Sequence, residues 1–347
     1  MTVVKRISLE NIRSHDSFST DLSPTVTVIT GKNGSGKTSL IEAVYVALQG
    51  SSFKGSDKDI LKTDTPWWRI DVLFDTDEKR TVKFEPTKET KRKQFVVSDN
   101  VSYRLMPKNK HPVVLFDPDD LRLLQGSPSR RRLFIDRFIS QLDPYYAAAL
   151  RKYERALKQR NNLLKKLGSH ADQLFVWNVA LSEHGAYIID KRTVFIAQIN
   201  SKLNDAYAEI AGHGDTVAVH YSHTAIGDIQ QKLLNELHTH FERDLYTGNT
   251  SVGPHRHDVM FEFNGAPALS TASRGEARTI VLALKFLEVE IIEQVTGQKP
   301  IILLDDVFSE LDELRQKALS DEVRDHQIII TSTHVLSGSK NYKHIQL

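Results

Sequence analysis

Cysteine is absent from all 347 residues, which excludes a disulfide framework and a thiolate-bound metal. Long apolar runs are missing as well. Nowhere do about eighteen apolar residues follow one another, the length a helix needs to cross a bilayer. The amino terminus, Met1-Thr2-Val3-Val4-Lys5-Arg6, lacks the apolar stretch and cleavage site of an export signal. These absences lead to the expectation of a soluble cytoplasmic protein with no membrane partner. Net charge is scarce too, +2 overall, and by itself says nothing about partners. The length leaves room for two domains, or for one domain with a large insertion.

What is present is most informative at Gly31, Lys32, Asn33, Gly34, Ser35, Gly36, Lys37 and Thr38, which fit G-x-x-x-x-G-K-[ST]. The β-type run Val26–Thr30 precedes them and an apolar helix face, Ile41, Val44, Tyr45 and Leu48, follows. Glycines there let the backbone curl so that several N–H groups point at a β-phosphate, beside the positive end of a helix dipole. Lys37 would reach the β- and γ-phosphates, and Thr38 would hold Mg²⁺. The alternative is a glycine-rich turn that matches by accident.

Such a loop needs a carboxylate for its metal, and Ile301-Ile302-Leu303-Leu304-Asp305-Asp306 supplies two. Four consecutive apolar residues predict a strand buried on both faces of a parallel sheet, with the carboxylates at its carboxyl end, where ligands of open α/β sheets lie. Asp305 is the candidate for the Mg²⁺ shell and Asp306 for the general base or polariser of water. An aspartate pair after a strand also serves as a helix cap.

Charge is unevenly spread. Between Pro128 and Leu167 eleven basic residues face three acidic ones, a net of +8 in a chain whose total is +2. Arg130, Arg131, Arg151, Lys152 and Arg155 belong to that run, and Lys88, Lys91, Arg92 and Lys93 form a smaller cluster before it. Basic residues gathered on one element suit a nucleic-acid backbone, and they equally suit a solvated helix face.

Short strands and turns surround the phosphate loop up to about residue 115, and then the texture changes. Ser127-Pro128 and Asp143-Pro144 read as helix starts with proline at the first position. Leu150, Tyr153, Leu157 and Leu164 keep one face of a helix that Gly168 would end, and a second pattern runs from about Ala171 to Ala211, interrupted at Gly185. Two such helices are expected to fold back as an antiparallel arm. Sheet-like runs return at Val217–Tyr221 and Val259–Phe263, before Ser273-Arg274-Gly275-Glu276 opens another helix. That helix start is either a second anion site or an ordinary N-cap. His255 and His257 flank Arg256 at a spacing open to metal binding, though a structural or DNA-proximal role suits them better.

In order, the phosphate loop, Ser273–Glu276, Ile301–Asp306 followed by Ser309-Glu310-Leu311-Asp312, and Thr333-His334 after Ile328–Ile330 resemble the motifs of ATP-binding-cassette ATPases. More narrowly, the chain resembles the RecF family, relatives of SMC-type heads. Asn11-Ile12-Arg13, Phe116–Leu121, Gly126–Arg132, Gln141–Tyr146, Gln159–Leu164, Gly253–Arg256 and Leu304–Asp312 carry that resemblance along nearly the whole chain. It implies an α/β fold: an ABC-type P-loop ATPase head, a mixed sheet with flanking helices, and an inserted antiparallel helical arm. The implied segments are 1–120, the first part of the ATPase lobe; 121–250, the arm; and 251–347, the ATPase remainder.

By the same resemblance, Gly31 to Thr38 and Arg13 would bind ATP, Thr38 and Asp305 would hold Mg²⁺, and Asp306 and His334 would serve hydrolysis. Two heads would sandwich two ATP molecules, with Ser273, Arg274 and Gly275 reaching the γ-phosphate of the other subunit and Asp312 acting as the D-loop aspartate. Glu276 stands where the family usually has Gln. The implied function is an ATP-gated DNA clamp and weak DNA-dependent ATPase at gapped or junction DNA, aiding RecA loading with RecR and RecO and serving SOS induction. Arg130, Arg131, Arg151, Lys152 and Arg155 would hold the DNA backbone. Rival readings are a transporter-type ATPase subunit, a related nuclease, and an ATP-binding scaffold without useful turnover. The basic arm between the phosphate loop and the later motifs argues against the first, and the 35 residues after Asp312 leave no room for a nuclease domain.

Overall fold

The structure is a computed structural model, and it describes residues 2–86, 93–166, 171–212, 214–223, 227–334 and 342–347. Lys88, Lys91 and Arg92 of the smaller basic cluster, and Gly168, lie outside the described residues. Two compact units are present, one made of Met1–Leu121 with Glu288–Leu347 and the other of Arg122–Leu287. The chain passes between the units at 121/122 and again at 287/288, and within the second unit Val259–Phe263 pairs with Val217–Tyr221.

The first unit begins with β1 (Val4–Ile12), β2 (His15–Asp21), β3 (Val26–Thr30), α1 (Lys37–Gln49), α2 (Asp57–Ile60), β4 (Trp68–Phe74), β5 (Lys79–Phe84), β6 (Gln94–Val97), β7 (Asn100–Ser102) and β8 (Val113–Phe116). Six of these strands form an antiparallel sheet in the order β2-β1-β4-β5-β6-β7. Alternation explains it. In β4, Trp68, Ile70, Val72 and Phe74 are buried while the residues between them are more exposed, as a sheet with one face on a core requires.

The inserted unit contains α3 (Pro128–Leu142), α4 (Pro144–Leu164), α5 (Ala171–Ala211), β9 (Val217–Tyr221), α6 (Ile229–Thr239), α7 (Phe241–Thr247), β10 (Val259–Phe263), β11 (Ala266–Pro267) and α8 (Ala268–Thr271). It ends within α9 (Arg274–Thr296). Asp143 caps α4, accepting hydrogen bonds from the N–H groups of Tyr145 at 2.8 Å and Tyr146 at 3.1 Å. The expected arm is there. Tyr146 pairs with Arg192, Tyr153 lies beside Gly185, and Arg160 donates to Asn178, so partners on α4 and α5 run in opposite directions. Gly185 does not interrupt α5, which is one helix of 41 residues. A Cβ at Gly185 would collide with Leu233 and crowd Tyr153, so the glycine serves close helix packing instead. The strands β11-β10-β9 form an antiparallel sheet whose Phe263 meets Tyr207 of α5 edge-on.

The chain then adds β12 (Ile301–Asp305), α10 (Glu313–Glu322), β13 (Ile328–Ser332) and β14 (Lys343–Gln346) to the first unit. With β3 and β8 they make an all-parallel sheet, β14-β3-β13-β12-β8. Every residue of β12 and β13 is buried, as the unbroken apolar runs predict. Twelve of the 13 residues of α1 are buried, because this helix shares one apolar core with strands of both sheets. The sheet order puts the loop after β3 and the end of β12 on either side of β13, at the carboxyl edge of parallel strands.

Candidate nucleotide-binding site

The loop after β3 owes its shape to glycine at two positions. Gly34 and Gly36 have φ of 85° and 97°, the left-handed region, and a Cβ at Gly36 would also collide with the His15 ring. Gly36 is the N-cap of α1 and no side chain caps that end, so its first N–H groups remain available to an anion. Ser35 Oγ, a buried hydroxyl, has no hydrogen-bond partner among the described residues. Lys37, only 4% exposed, donates to the carbonyls of Gly31 at 3.0 Å and Lys32 at 3.3 Å. An uncapped helix start, an orphaned hydroxyl and an inward ammonium fit a polyphosphate.

Residues 267 positions apart meet at the metal end of the site. Thr38 Oγ1 donates to Asp305 Oδ1 at 2.8 Å, and Thr331 Oγ1, from β13, donates to the same oxygen at 3.0 Å. Lys54 Nζ lies 3.3 Å from Asp305 Oδ2. A hydroxyl and a buried carboxylate side by side are a donor set for Mg²⁺, and an ammonium already sits against the carboxylate as a cation would. Asp306, at φ 54°, turns out of the strand, and its N–H donates to Thr331 Oγ1 at 2.9 Å. Burial pushes its carboxyl above the usual range and Asp305 adds to this, while Lys37 and Lys54 oppose the shift. A half-buried carboxylate with raised proton affinity suits a group that polarises water.

Arg13 is tied to the helix that follows the loop. Its guanidinium donates to Glu42 at 2.6 and 3.0 Å, and that hydrogen bonding raises its already high pKa. Glu42 is wholly buried and stands one turn beyond Thr38. The structure therefore brings Gly31–Thr38, Arg13, Asp305 and Asp306 into one neighbourhood. It adds residues that sequence reasoning missed: His15, whose Nε2 lies 3.1 Å from the Gly36 carbonyl, along with Glu42, Ser52, Lys54 and Thr331. Of these, His15 stands two positions after Arg13, Glu42 lies within the apolar helix face that begins at Ile41, and Thr331 directly follows Ile328–Ile330. Thr331 lies inside a strand beside the Thr333-His334 pair that drew attention instead.

Ser273, Asp312 and His334 make local hydrogen bonds. Ser273, Arg274 and Gly275 belong to the inserted unit, where Ser273 and Arg274 are exposed. Ser273 N–H donates to the Glu276 carboxylate at 2.6 Å and Glu276 N–H to Ser273 Oγ at 3.3 Å, a reciprocal capping box that Gln would serve as well. Asp312 caps α10 by accepting from the Arg315 N–H at 3.0 Å, and also pairs with that residue's guanidinium. His334 follows β13, exposed, its N–H on Ser332 Oγ.

The basic run divides in two. Arg151, Lys152 and Arg155 are exposed on α4. Arg131 is held by Asp258 at 2.7 and 2.9 Å, Arg130 is half-buried with its stem against Gly126, and Arg160 is wholly buried on Asn178, Asp244 and Thr250. Two of the five DNA candidates, Arg130 and Arg131, thus sit in packed surroundings. Tyr153 and Tyr221 meet the Nδ1 atoms of His255 and His257 at 2.7 and 2.8 Å. No histidine–carboxylate group able to hold a metal occurs among the described residues.

Residues 6–211 match the AAA domain family. A protein of Lachnoclostridium phytofermentans named DNA replication and repair protein RecF is 34% identical, over 95% of this chain and 92% of its own. One of the same name from Streptococcus agalactiae is 35% identical, over 95% and 91%. The chain belongs to the RecF family. A solved structure of the recombination mediator RecF with ATP, described as part of the RecFOR pathway, superposes with a TM-score of 0.86 at 31% identity, covering 97% of this chain and 94% of that one. The Smc head domain of Pyrococcus furiosus has a TM-score of 0.51 at 17% identity, over 96% and 90%, and shares the fold. The expected ATPase head with an inserted helical arm is the fold of this RecF-family chain. No described helix is long and apolar enough to cross a membrane.

Proposed function

We propose that this chain is an ATP-gated DNA clamp, a recombination mediator at gapped duplex and at junctions of single- and double-stranded DNA. The observation that carries the reading is the meeting of Thr38 and Asp305 at 2.8 Å beneath an uncapped helix start, in a chain of the RecF family. Gly31–Thr38 would hold the phosphates, Thr38 and Asp305 would hold Mg²⁺, which supplies charge neutralisation to the transferring phosphoryl group, and Asp306 would orient water. Arg13 braces α1 behind the loop. Ser273, Arg274 and Gly275, Asp312 and His334 would complete a second copy's site when ATP closes a homodimer, and slow hydrolysis would reopen it. Exposed Arg151, Lys152 and Arg155 would track the DNA backbone without reading bases, with Arg130 and Arg131 shaping the start of that surface. RecR and RecO are the expected partners in helping RecA replace single-strand-binding protein, with SOS induction downstream and a cytoplasmic location.

Fluorescence anisotropy of a gapped duplex, titrated with protein and Mg²⁺ in ATP and in ADP, tests this alongside Lys37→Ala. Tight binding with ATP, lost by at least about tenfold in ADP and in the variant, is the expected result. Binding indifferent to nucleotide would separate the ATPase from the DNA and overturn the clamp.

A further inference from the structure

Asp305 is a carboxylate almost without water, 1% exposed at the end of β12. A buried carboxylate needs a compensating charge as well as hydrogen bonds. Thr38 and Thr331 supply neutral donors to Oδ1, and the cation within ion-pair distance among the described residues is Lys54, on Oδ2. Lys54 belongs neither to the phosphate loop nor to any of the recognised motifs.

The turn that carries Lys54 is anchored. Ser52 Oγ accepts from the N–H groups of Lys54 at 2.9 Å and Gly55 at 3.1 Å, and donates to Glu42, the same buried carboxylate that Arg13 grips. Phe53 packs edge-on against Tyr45 of α1, and the Lys54 ammonium lies 5.6 Å from the Phe53 ring centroid. A chain of contacts thus fixes the start of the lysine to the helix that begins the nucleotide site, while its side chain stays 41% exposed and free to swing outward. A dication at Asp305 and an ammonium 3.3 Å from the same carboxylate repel each other, so the two cannot share it without cost.

We infer that Lys54 is a placeholder cation that competes with Mg²⁺ for Asp305. Without metal it offsets the charge of Asp305, so that free nucleotide does not meet that carboxylate bare. Mg²⁺ displaces it toward solvent. Lys54 is therefore a positioning residue, and it sets how much Mg²⁺ the site demands. The inference rests on the assignment of Thr38 and Asp305 as the metal donors.

Binding of a fluorescent ATP analogue, measured in EDTA and across an Mg²⁺ titration, tests it without relying on turnover. Lys54→Met should bind nucleotide about threefold to tenfold more weakly in EDTA and reach half-saturation at a correspondingly lower Mg²⁺ concentration. Lys54→Arg should restore wild-type values on both axes. On an Asp305→Asn background, Lys54→Met should change nothing further in EDTA, because the charge it answers is gone. An unchanged or higher Mg²⁺ requirement in Lys54→Met overturns the inference, as does an EDTA effect of the same size on the Asn background. Wild-type protein that binds no nucleotide under either condition would overturn the nucleotide-site reading itself and this step with it, and is told apart because every variant then behaves alike.

Discussion

Asp306 holds a backbone conformation, φ 54°, that a non-glycine residue seldom adopts, and it does so next to a second carboxylate. Burial raises its proton affinity, so its ionised form is the costly one in the fold. A carboxyl with a raised folded pKa withholds stability above that pKa and returns it as pH falls toward the unfolded value near 4. Asp306→Asn should therefore raise the melting temperature at pH 7, with the gain shrinking toward pH 4, while cutting ATP hydrolysis by about a hundredfold or more. Calorimetry and phosphate release measure the two effects. The position of Asp306 was legible in the sequence, since four apolar residues followed by two aspartates mark the end of a buried parallel strand. Its left-handed turn was not, because the hydroxyl that receives its N–H, Thr331, sits on another strand 25 positions away.

Among the elements, α4 shows how one run of charge serves two purposes. Arg151, Lys152 and Arg155 face water, whereas Arg160 is buried with Asp244, both side chains at 0% exposure. Removing one partner of such a pair strands the other charge in the core. Arg160→Met should cost about 3–5 kcal/mol in urea unfolding, and Arg160→Met with Asp244→Leu should recover a large part of it. A loss below about 1 kcal/mol would mean that water reaches Asp244. Composition could not separate these arginines: helical spacing places Arg160 in line with Tyr146, Ala149, Tyr153 and Ala156 of the buried face, and the opposite charge that makes that tolerable, Asp244, lies far along the chain. Gly185 is the same lesson in α5. Read locally it weakens the helix, yet the space it leaves is taken by Leu233 and Tyr153.

Both units of the molecule carry histidines kept neutral by burial. His111 is lowered to about 4 in the first unit, and in the second His255 is lowered to about 4 and His257 to about 3. Their folded pKa values lie below the ordinary 6.5, so below that pH the unfolded chain takes up protons that the folded one refuses. Stability should hold above about pH 6.5 and fall as pH drops toward 4 and 3. His257→Asn, which keeps an acceptor near the Tyr221 hydroxyl, should flatten the decline by up to about 1.4 kcal/mol per pH unit, read from urea midpoints across that window. By itself the sequence determined the phosphate loop, the buried parallel strands, the paired carboxylates and the two long helices, because each is written in neighbouring residues whose spacing matches a strand or helix period. Tertiary structure alone decided which charges stay at the surface and which hold the core, where the inserted unit ends, and which side chains brace the candidate site. Those outcomes depend on residues such as Thr38 and Asp305, or Arg160 and Asp244, that are remote in the chain. Burial and pairing arise only when the sheets and helices bring such residues together.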